Sequence, residues 1–463
     1  MSRRPGATFV GAAQPLSATK GQSRLAIASI LIALALVVLD ASIVNVALPT
    51  LSRSLQITAA ASVLVVTAYQ MALVMVLLPC AALGESLGYR RVFLGGVALF
   101  TLASGLCAAA PTLSWLVAAR FIQGLGAAAV MALGVALLRT VVPSHKLSVA
   151  IGWNAMVVAL TSAAGPTIGA LVLSLASWPW LFAVNLPVGM LVLAAALAIP
   201  NERGSGSALD WWSIALNMTA FGLLVVGAES LHRFPDLAGL LLVGGVLTLI
   251  VMVRREVPKA RPLVPFDLLV NSSFRLSVIA SVCCFSGQAA GLIALPFYLQ
   301  HSLGLSPFEA GLYITPWPLT AAIAAWLAGR FARPGATAWL CAVGCACVSA
   351  GLGAAGAWPL AGTPAGIVPI IMLCGLGFGL FQVTNNRNMF LSAPFERSGA
   401  AGGLQSLARL TGQTAGVVFA TLLFGALPLQ TAPRMCLAMG AILTLTAGLI
   451  STLHPKSPRV TTT

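Results

Sequence analysis

The amino-acid sequence predicts an all-α integral membrane protein with fourteen transmembrane helices, built as two six-helix pseudo-repeat bundles with two further helices inserted between them. Three observations predict this fold class: the composition, the number of long apolar runs, and an internal repeat. The chain has 463 residues, of which 59% are hydrophobic and 8% charged, and its mean hydropathy is +0.97. Because soluble domains carry about 25% charged residues, a chain this apolar is expected in a lipid bilayer.

Fourteen apolar runs are long enough to cross the hydrocarbon core of a membrane, which takes about 20 residues of helix. The runs cover residues 25–48, 60–82, 92–110, 113–139, 148–174, 180–199, 211–231, 237–253, 274–299, 308–329, 337–357, 365–391, 398–426 and 433–453.

The positions of Lys and Arg predict the orientation of these runs. If the N-terminus lies in the cytoplasm, 19 of the 25 basic residues fall in cytoplasmic segments and three fall outside, Arg53, Arg233 and Arg434. The other three, Arg120, Arg387 and Arg409, lie within runs. Cytoplasmic loops are enriched in Lys and Arg, so we expect both termini in the cytoplasm and an even number of helices. The first run is too long for the core of a signal peptide, so we expect it to be retained.

The two longest polar segments between runs, 200–210 and 254–273, flank the seventh and eighth runs and divide the chain. We expect a cytoplasmic tail, a six-helix bundle, a linker with the two inserted helices, a second six-helix bundle and a second cytoplasmic tail. These segments are residues 1–24, 25–199, 200–273, 274–453 and 454–463.

Two sequence matches at a single spacing indicate that the bundles are repeats. Ala47–Pro49 at the end of the first run matches Ala294–Pro296 in the ninth run, and the two segments are 247 residues apart. Gly165–Gly169 in the fifth run matches Gly412–Gly416 in the thirteenth at the same spacing. Transporters are commonly built from such repeats, with the substrate site between them near the membrane midplane. A channel or a membrane enzyme has no particular need of this symmetry.

Asp40 is the residue that points most directly to a function. Only ten of the 463 residues are acidic, and Asp40 lies well inside the first apolar run. A carboxylate at membrane depth costs roughly 2.5–3.5 kcal/mol to insert, and such residues usually mark ion or proton pathways. Desolvation disfavours the charged form, so we expect Asp40 to bind and release a proton near neutral pH. The alternative is a structural acid that caps or pairs with a neighbour.

Arg120 in the fourth run is the expected partner of Asp40. At a rise of 1.5 Å per residue, Asp40 lies about 12 Å and Arg120 about 10 Å below the outer ends of their helices, so the two share a depth. A nearby cation would favour the charged carboxylate and oppose desolvation. The alternative is that Arg120 braces the helices by donating hydrogen bonds to backbone carbonyls.

The loop after the second run contains Glu85, Gly88, Arg90 and Arg91. Gly88 permits a tight turn with positive φ, and Glu85 can pair with Arg90 or Arg91 or with the N-terminus of a neighbouring helix. We interpret this charge cluster as a gating loop that holds one conformational state. The alternative is a simple cytoplasmic anchor. The corresponding segment 327–333 of the second half has no acid, so a latch of this kind would be one-sided.

Gly165, Pro166 and Gly169 place two small residues and a kink in the fifth run. Proline removes a backbone hydrogen bond, and glycines let another helix approach closely. We expect this segment to seal the interface between the bundles. The alternative is close packing without a functional role, and it would involve nearly the same contacts.

Polar and aromatic residues within the runs are candidates for a substrate cavity, although each alone is more typical of a helix–helix contact. Together they suggest a site of mixed polarity. The candidates are Asn45, Tyr69, Gln70, Asn154, Gln288, Tyr298, Trp317, Gln382, Asn385, Asn386, Arg409 and Gln413.

Other functional classes lack supporting residues in the sequence. The formal net charge of +15 comes from basic residues in short loops rather than from a basic face, so nucleic acid is not an expected partner. Nine cysteines lie in or beside apolar runs, and Cys341, Cys345 and Cys347 have no His or acid beside them. We therefore expect no metal site and no disulfide framework. Without a nucleophile–base pair or a nucleotide-binding loop, we expect no enzyme and no cofactor, with protons as the coupling ion.

In their order along the chain, these motifs resemble those of the major facilitator superfamily. The matching segments are Asp40–Pro49, Glu85–Arg91, Arg120–Gly126, Gly165–Gly169, Ser177–Phe182, Asn185–Gly189 and Gly377–Arg387. With fourteen runs, the chain is similar to the fourteen-helix drug:proton antiporter family, in particular to bacterial methyl viologen and quaternary ammonium exporters. The resemblance implies that Asp40 takes part in proton coupling, that Arg120 assists it, and that Gly165–Gly169 accompanies antiport rather than symport.

Three departures from the family pattern bear on the substrate and the loop. Glu85 stands where the family usually has Asp, and Tyr89 where Arg or Lys is common. Leu64 stands where Trp is usual. The thirteenth run carries Arg409 and lacks the acid with which some multidrug members bind divalent cations, which argues against dicationic substrates.

The sequence therefore predicts a proton-coupled antiporter that exports lipophilic, cationic drugs or other toxic small molecules across the inner (plasma) membrane of a bacterium by alternating access. Asp40 favours a cationic substrate, whereas Arg120, Arg387 and Arg409 favour an anionic or neutral one with acceptor groups. The alternatives are a specific metabolite exporter or symporter on the same fold, and a membrane protein that transports nothing. We expect a multi-pass monomer whose partners are the bilayer and a small-molecule substrate. The sequence gives no role for the two inserted helices.

Overall fold

The computed structural model describes residues 20–143, 146–202, 204–231, 233–259, 262–331, 337–359, 364–394 and 397–453. This part of the chain is helical and contains no β-strand. In chain order the α-helices are α1 Lys20–Ser54, α2 Ala59–Leu87, α3 Tyr89–Ala108, α4 Leu113–Val141, α5 Leu147–Leu175, α6 Trp180–Ala183, α7 Asn185–Ala196, α8 Trp211–Ser230, α9 Pro235–Glu256, α10 Ser272–Phe297, α11 Pro307–Ile314, α12 Pro316–Phe331, α13 Thr337–Ala357, α14 Val368–Leu391, α15 Ser398–Ala426 and α16 Ala432–Thr452.

Fourteen transmembrane spans arise from these helices. Twelve of the described helices are each long and apolar enough to cross a membrane. Each of the two other spans consists of two shorter helices, α6 with α7 and α11 with α12. The break between α11 and α12 falls directly before Pro316, which has no N–H to continue the helical hydrogen bonds. The predicted all-α fold with fourteen spans is confirmed.

Several helix ends differ from the predicted runs. α1 begins at Lys20 rather than at residue 25, and α3 begins at Tyr89 rather than at 92. The ninth run is predicted to end at 299, but α10 ends at Phe297 and is followed by a π-helical turn, Tyr298–Ser302. Hydropathy marks the apolar part of a helix, whereas hydrogen bonding continues through polar residues at its ends. The predicted tail 454–463 and residues 1–19 lie outside the described residues.

The repeated glycine motifs lie against the corresponding helix in each half. Gly165 of α5 lies against Ser42 of α1, where an added Cβ would come within 2.4 Å of the Ser42 Cβ. Gly412 of α15 lies against Val282 of α10, where an added Cβ would come within 2.6 Å of the Val282 carbonyl oxygen. The same helices are therefore paired closely in both halves, α1 with α5 and α10 with α15, although the glycines contact their partner helix at different heights.

The inserted helices form a hairpin against the place where the two bundles meet. α8 and α9 pack on each other, and α8 also contacts α2 of the first bundle and α15 of the second. Asn217 of α8 donates a hydrogen bond of 2.6 Å to the Met75 carbonyl of α2. Along α9, most apolar side chains, among them Leu240 and Val243, remain exposed. α8 therefore faces the bundles and α9 faces the lipid.

A polar cluster joins the start of α8 to the end of α9. Asp210 caps α8 by accepting a hydrogen bond of 3.1 Å from the Ser213 backbone N–H. Lys259 contacts both Asp210 and the buried Glu256, and Glu256 accepts a hydrogen bond of 2.6 Å from the Ser213 hydroxyl. The Lys259 ammonium holds the pKa of Asp210 well below its ordinary value. The cluster fixes the hairpin at the end that the predicted orientation places in the cytoplasm.

Candidate functional site

Asp40 lies at the centre of a buried hydrogen-bond network inside the first bundle. Its exposed fraction is 1%, and its Oδ2 lies 2.5 Å from Nη1 of Arg120 in α4. The other carboxylate oxygen, Oδ1, accepts hydrogen bonds from Nε2 of Gln123 in α4 at 3.0 Å and from Nδ2 of Asn185 in α7 at 2.8 Å. Three side chains from two helices thus donate to one carboxylate on α1.

Ser104 of α3 completes the network on the side away from Asp40. Its hydroxyl oxygen accepts from Gln123 at 2.8 Å and from Asn185 at 3.4 Å, and its proton is donated to the Phe100 carbonyl at 2.8 Å. Gln123 is fixed further because its Oε1 accepts a hydrogen bond of 2.6 Å from Arg120. The amide groups therefore have set orientations, with their N–H groups directed at the carboxylate.

Arg120 acts both as the ion-pair partner and as a strut. Besides Asp40, it donates from Nε to the Val65 carbonyl of α2 at 3.3 Å. Its guanidinium lies 4.1 Å above the ring of Tyr69 and 5.6 Å from the ring of Phe182. Both alternatives that the sequence leaves open for this residue are therefore realised, and the Asp40–Arg120 contact predicted from their common depth is present.

The Asp40 carboxylate receives an arginine and two amide donors in a buried site. Charge-assisted hydrogen bonds are stronger than neutral ones, and they replace the water that burial removes. Loss of one partner would leave the other charge buried and unpaired, which typically costs about 3–5 kcal/mol. The cation that the sequence predicts beside Asp40 is therefore present, and each charge compensates the burial of the other.

A cavity of about 340 Å³ reaches this network from the side of α1, α5 and α7. Asn185 lines the cavity, while its Nδ2 donates to Asp40. The Oδ1 atom of Asn185 is buried and has no hydrogen-bond partner among the described residues. The remaining lining residues are almost entirely apolar, so Asn185 is the point at which water or a ligand in this cavity would meet the carboxylate network.

The loop between α2 and α3 is braced by the linker that leads to α8. Gly88 has φ of +102°, and a Cβ there would come within 2.8 Å of the Glu202 carbonyl oxygen. Ser205 donates its backbone N–H to the Glu85 carbonyl at 2.8 Å, and the Ser86 hydroxyl donates to the Ser207 carbonyl at 2.8 Å. The glycine is required here both by its φ angle and by the closeness of the linker.

The expected ion pair of Glu85 with Arg90 or Arg91 is not formed within the described part of the chain. The Glu85 and Arg91 side chains are exposed, and Arg90 donates instead to the Leu197 carbonyl at 3.0 Å. In this conformation the loop is held by backbone hydrogen bonds rather than by opposite charges.

The Gly165–Gly169 segment of α5 lies between α1 and the second bundle. On one side Gly165 and Gly169 contact α1. On the other, Gly311 of α11 lies so close that a Cβ would come within 2.7 Å of the Pro166 carbonyl oxygen, and Thr167 hydrogen-bonds to Thr315. The segment therefore lies at the interface between the bundles, in the half of the membrane that the predicted orientation places outside.

Four of the predicted cavity residues are instead buried in helix contacts. Tyr69 lies beneath Arg120, and Tyr298 donates its hydroxyl proton to the Trp358 carbonyl at 3.0 Å. Asn385 of α14 donates to the Ser281 hydroxyl of α10 at 2.7 Å, and Trp317 is 1% exposed. In this conformation Tyr69 and Tyr298 are therefore engaged in packing between helices. Asn385 Oδ1 and Trp317 Nε1 are buried without a hydrogen-bond partner among the described residues, so a role for these two in a substrate cavity stays a prediction.

The remaining candidates keep polar groups available. Four of them have an amide oxygen that is buried and has no hydrogen-bond partner among the described residues. Each of these oxygens can accept a hydrogen bond from a ligand or from water. These belong to Asn45, Gln70, Asn154 and Gln288. Gln382, Asn386 and Gln413 are partly exposed, and Asn386 accepts a hydrogen bond of 3.1 Å from Gln405.

Arg409 lies midway along α15 and is partly exposed. Among the described residues, no hydrogen bond or ion pair to its guanidinium is found. An arginine at membrane depth almost always faces a water-filled space or a partner. We therefore expect the Arg409 guanidinium to face water or a ligand with acceptor groups.

A family model described as Major Facilitator Superfamily matches residues 30–417, a segment that contains the whole Asp40 network. The chain belongs to the major facilitator superfamily. As a member of this superfamily it is a multi-span membrane transporter and not an enzyme, as the sequence predicts.

Relatives within the superfamily cover most of the chain. The uncharacterized transporter YebQ of Escherichia coli (strain K12) is 40% identical over 442 residues, which is 94% of this chain and 96% of that protein. Riboflavin transporter RibZ of Clostridioides difficile (strain 630) is 27% identical over 397 residues, covering 82% and 84%. The tetracenomycin C resistance and export protein of Streptomyces glaucescens is 29% identical over 417 residues, covering 87% and 76%.

Sequence reasoning missed several polar residues of this superfamily member. Gln123 follows Arg120 by three residues, and this helical spacing places both side chains on one face. Asn185 and Ser104 contribute from helices whose position beside α1 cannot be derived from the sequence. Glu229 lies near the end of the seventh run, and the sequence does not show that its side chain reaches Thr67 of α2.

Proposed function

We propose that this transporter is a proton-coupled antiporter that exports lipophilic small molecules from the bacterial cytoplasm across the inner membrane. The observation that carries the proposal is the buried Asp40–Arg120 ion pair, whose atoms lie 2.5 Å apart. In this proposal the proton is the coupling ion, Asp40 is the group that carries it, and both termini are cytoplasmic.

Proton binding to Asp40 would remove the charge that holds Arg120. The guanidinium would keep the Val65 carbonyl and the Gln123 amide oxygen as acceptors, but it would become a buried cation without a counter-ion, which is costly. A conformation that gives Arg120 water or another acceptor would then be favoured. Protonation thereby shifts the population of conformations, as coupling requires.

A continuous set of contacts leads from Asp40 to the interface between the bundles. Ser42 and Ile43 follow Asp40 in α1 and touch Gly165 and Gly169 of α5. The same segment of α5 packs on Gly311 of the second bundle. A change in the tilt or rotation of α1 is therefore transmitted directly to a surface along which the bundles would rock in alternating access.

Two lines of support favour antiport of toxic compounds. The Gly-Pro segment matches a motif that accompanies antiport in the family that the sequence resembles. A relative is named for tetracenomycin C resistance and export. In an antiporter the proton and the substrate compete within one conformational cycle, so substrate binding should directly release a proton.

The substrate that we propose carries acceptor groups. Asp40 is engaged by Arg120, so it offers no free charge to a cation in this conformation. Arg409 is a cation without a partner among the described residues, and it favours an anionic or acceptor-rich molecule. This shifts the proposal away from the cationic drugs that the sequence suggests.

A specific metabolite exporter is the second candidate, and Arg409 is the observation that favours it. A single charged recognition group suits a defined substrate better than a broad range of lipophilic drugs. RibZ, a relative, is named as a riboflavin transporter. A broad susceptibility panel separates the two candidates, because a metabolite exporter would protect against few or none of the drugs.

The proposal is tested by drug susceptibility in an exporter-deficient bacterial strain. The panel contains cationic compounds, methyl viologen and a quaternary ammonium, together with tetracenomycin C and anionic dyes. Wild type is expected to raise resistance to at least one compound, and Asp40→Asn to abolish that resistance at equal expression. Asp236→Asn, which removes an exposed acid at the start of α9, is the matched control and should behave as wild type. Unchanged resistance with Asp40→Asn would contradict the proposal.

A further inference from the structure

Glu229 is a second carboxyl group at membrane depth, on the inserted helix α8. Its Oε1 accepts a hydrogen bond of 2.9 Å from the Thr67 hydroxyl of α2. Thr67 is eight residues inside the outer end of α2, since that helix begins at Ala59, which is about 12 Å below the end at 1.5 Å per residue. The carboxyl group of Glu229 therefore does not lie at the membrane surface, although its Cα is one residue from the end of α8.

The cavity around this carboxyl group is lined by both bundles. Its volume is about 350 Å³, and residues of α2, α8 and α15 line it. Thr421 of α15, in the second bundle, lines it beside Glu229, while Thr67 of the first bundle donates to Glu229. We call this place, lined by Glu229, Thr67 and Thr421, the outer seam.

The outer seam offers a carboxylate few donors among the described residues. A threonine hydroxyl has one proton to donate. Thr67 is closer to Glu229, at 2.9 Å, than to its other acceptor, the Val63 carbonyl, at 3.4 Å. Thr421 donates its proton to the Val417 carbonyl at 3.2 Å, so toward a carboxyl group in this cavity its hydroxyl oxygen can act only as an acceptor, which suits a protonated acid.

An ionised Glu229 would be poorly compensated in this conformation. Its Oε2 is buried and has no hydrogen-bond partner among the described residues. Of the described residues that line the cavity on α2, α4, α8 and α15, none but Glu229 is charged, and Arg233, which lines it just beyond α8, is exposed and forms no ion pair with Glu229. His232 lies outside the described residues. An unpaired carboxylate in such a cavity is costly. Protonation of Glu229 therefore favours the closed seam, and the closed seam favours protonated Glu229.

We propose that Glu229 is a second proton-carrying group, which holds the outer seam closed while it is protonated and lets the bundles separate when its proton leaves to the outer water. This deepens the proposed function and rests on it, because an antiporter takes protons from the outside before it turns inward. It also gives the inserted hairpin a role, since α8 supplies the Glu229 carboxyl group to a cavity that both bundles line.

Infrared difference spectroscopy of the full chain in lipid tests the proton. The C=O stretching band of a protonated carboxylic acid should disappear as pH rises, and this band should be missing in Glu229→Gln. Asp236→Asn is the matched control and should keep it. Thr67→Val, which keeps the shape of the side chain but removes the hydroxyl, should shift the band because the hydrogen bond to Oε1 is lost. If Glu229→Gln retains the band and Thr67→Val does not move it, the proposal is overturned.

Access to the outer seam tests the conformational role. Ala60, which lines the cavity, is replaced by Cys, and its reaction with a membrane-impermeant thiol reagent is followed from outside the cell against the background of the native cysteines. The reaction should become faster as the outside pH rises. Glu229→Gln, whose amide can replace the protonated acid, should keep it slow at every pH. Equal pH dependence with and without Glu229→Gln would overturn the gating role.

The experiments separate this inference from the proposed function. Asp40→Asn should leave the Glu229 band and the pH dependence at Ala60→Cys in place. If Asp40 is not the coupling group, those two readouts still decide the role of Glu229. If Glu229→Gln instead weakens binding of tetraphenylphosphonium and leaves both readouts unchanged, the seam is a site for lipophilic cations and the proton proposal is wrong.

Discussion

Asp40 and Arg409 are both charged groups at membrane depth, but their surroundings are opposite. Asp40 receives an arginine and two amide donors, whereas no partner for Arg409 is found among the described residues. The first arrangement stores a charge pair that a proton can break. The second leaves a charge available to water or to a molecule with acceptor groups. The two residues therefore suit different tasks, coupling and recognition.

Loss of Arg120 is expected to destabilise the protein strongly. Arg120→Gln leaves Asp40 buried without its cation, and the free energy of unfolding should fall by about 3–5 kcal/mol. Much of this loss should be recovered in the double variant with Asp40→Asn, because no charge is then left unpaired. Arg409→Gln is the matched control: it removes an arginine at membrane depth that has no described partner, and it should leave stability unchanged or raise it. Reversible unfolding in detergent measures all four proteins, and an equal loss in both single variants would contradict this reading.

The sequence alone identified the two principal residues of the network but not its amides. Asp40 is conspicuous because acids are rare within the apolar runs, and its common depth with Arg120 follows from helix geometry. Gln123 and Asn185 are ordinary polar residues of transmembrane helices, and their approach to Asp40 depends on how α4 and α7 rotate against α1. Likewise the hydrogen bond from Tyr298 to the Trp358 carbonyl becomes evident only when the neighbouring helices are placed.

At the scale of helices, small residues and caps decide how the elements meet. α1 can lie against α5 because Gly165 has no side chain at the contact with Ser42. The inserted hairpin is held at one end by Asp210, Glu256 and Lys259. The sequence predicted the close packing at the Gly-Pro segment, but not the ionic cluster, because the chain distance between Asp210 and Lys259 hides their contact.

Gly165→Ala should disturb the α1–α5 contact. The added Cβ would come within 2.4 Å of Ser42 Cβ, and such overpacking costs about 1–3 kcal/mol. Gly152→Ala is the matched control on the same helix, because nothing lies within 4 Å of its added Cβ. That variant should gain about 0.5–1 kcal/mol from the higher helix propensity of alanine. Unfolding midpoints of the two variants give the comparison, and a stable Gly165→Ala would mean that the helices are not this close.

The ionic cluster of the hairpin should make stability depend on pH in the acid range. The pKa of Asp210 is lowered in the folded protein, so its contribution is fully present above the unfolded value of about 3.9 and is lost as pH falls through the folded value. Asp210→Asn keeps a helix cap but removes the charge. The difference in unfolding midpoint between wild type and this variant should be constant from about pH 8 to 5 and shrink below about pH 4. A difference that grows on acidification would contradict the ion pair.

At the scale of the whole molecule, the two bundles meet at a small number of polar contacts. Near the outer end of α1, Arg53 donates to the Gln300 side chain at 3.2 Å, and these residues are 247 positions apart, the spacing of the sequence repeat. Gln300 in turn donates to the Val46 carbonyl at 3.2 Å. Together with Thr167–Thr315 and Glu229, these contacts join the bundles in this conformation on the side that the predicted orientation places outside. Alternating access, as proposed, would require that they open.

A disulfide across this interface should stop transport. The hydroxyls of Thr167 and Thr315 are hydrogen-bonded across the bundles, so Thr167→Cys with Thr315→Cys should oxidise readily and hold the outer side closed. Resistance conferred by the double variant should be lost under oxidation and restored by a reductant. Each single variant serves as the control and should be insensitive to both treatments. Undiminished resistance after complete cross-linking would show that the outer side need not open.

The fourteen spans, the repeat and the superfamily could be predicted from the sequence because composition and motif order determine them locally. The place of the inserted hairpin could not, since nothing in the sequence of α8 states which helices it lies against. The depth and the surroundings of the Glu229 carboxyl group become known only when α8 is placed beside Thr67 and Thr421.

The central claim is that Asp40 exchanges a proton whose movement drives export, and transport in proteoliposomes tests it most directly. With a pH gradient imposed and a compound from the susceptibility panel, wild type should accumulate that compound against its gradient, and a protonophore should abolish the accumulation. Asp40→Asn should equilibrate the compound at most, with no response to the pH gradient. Accumulation by Asp40→Asn equal to that of wild type would contradict the account.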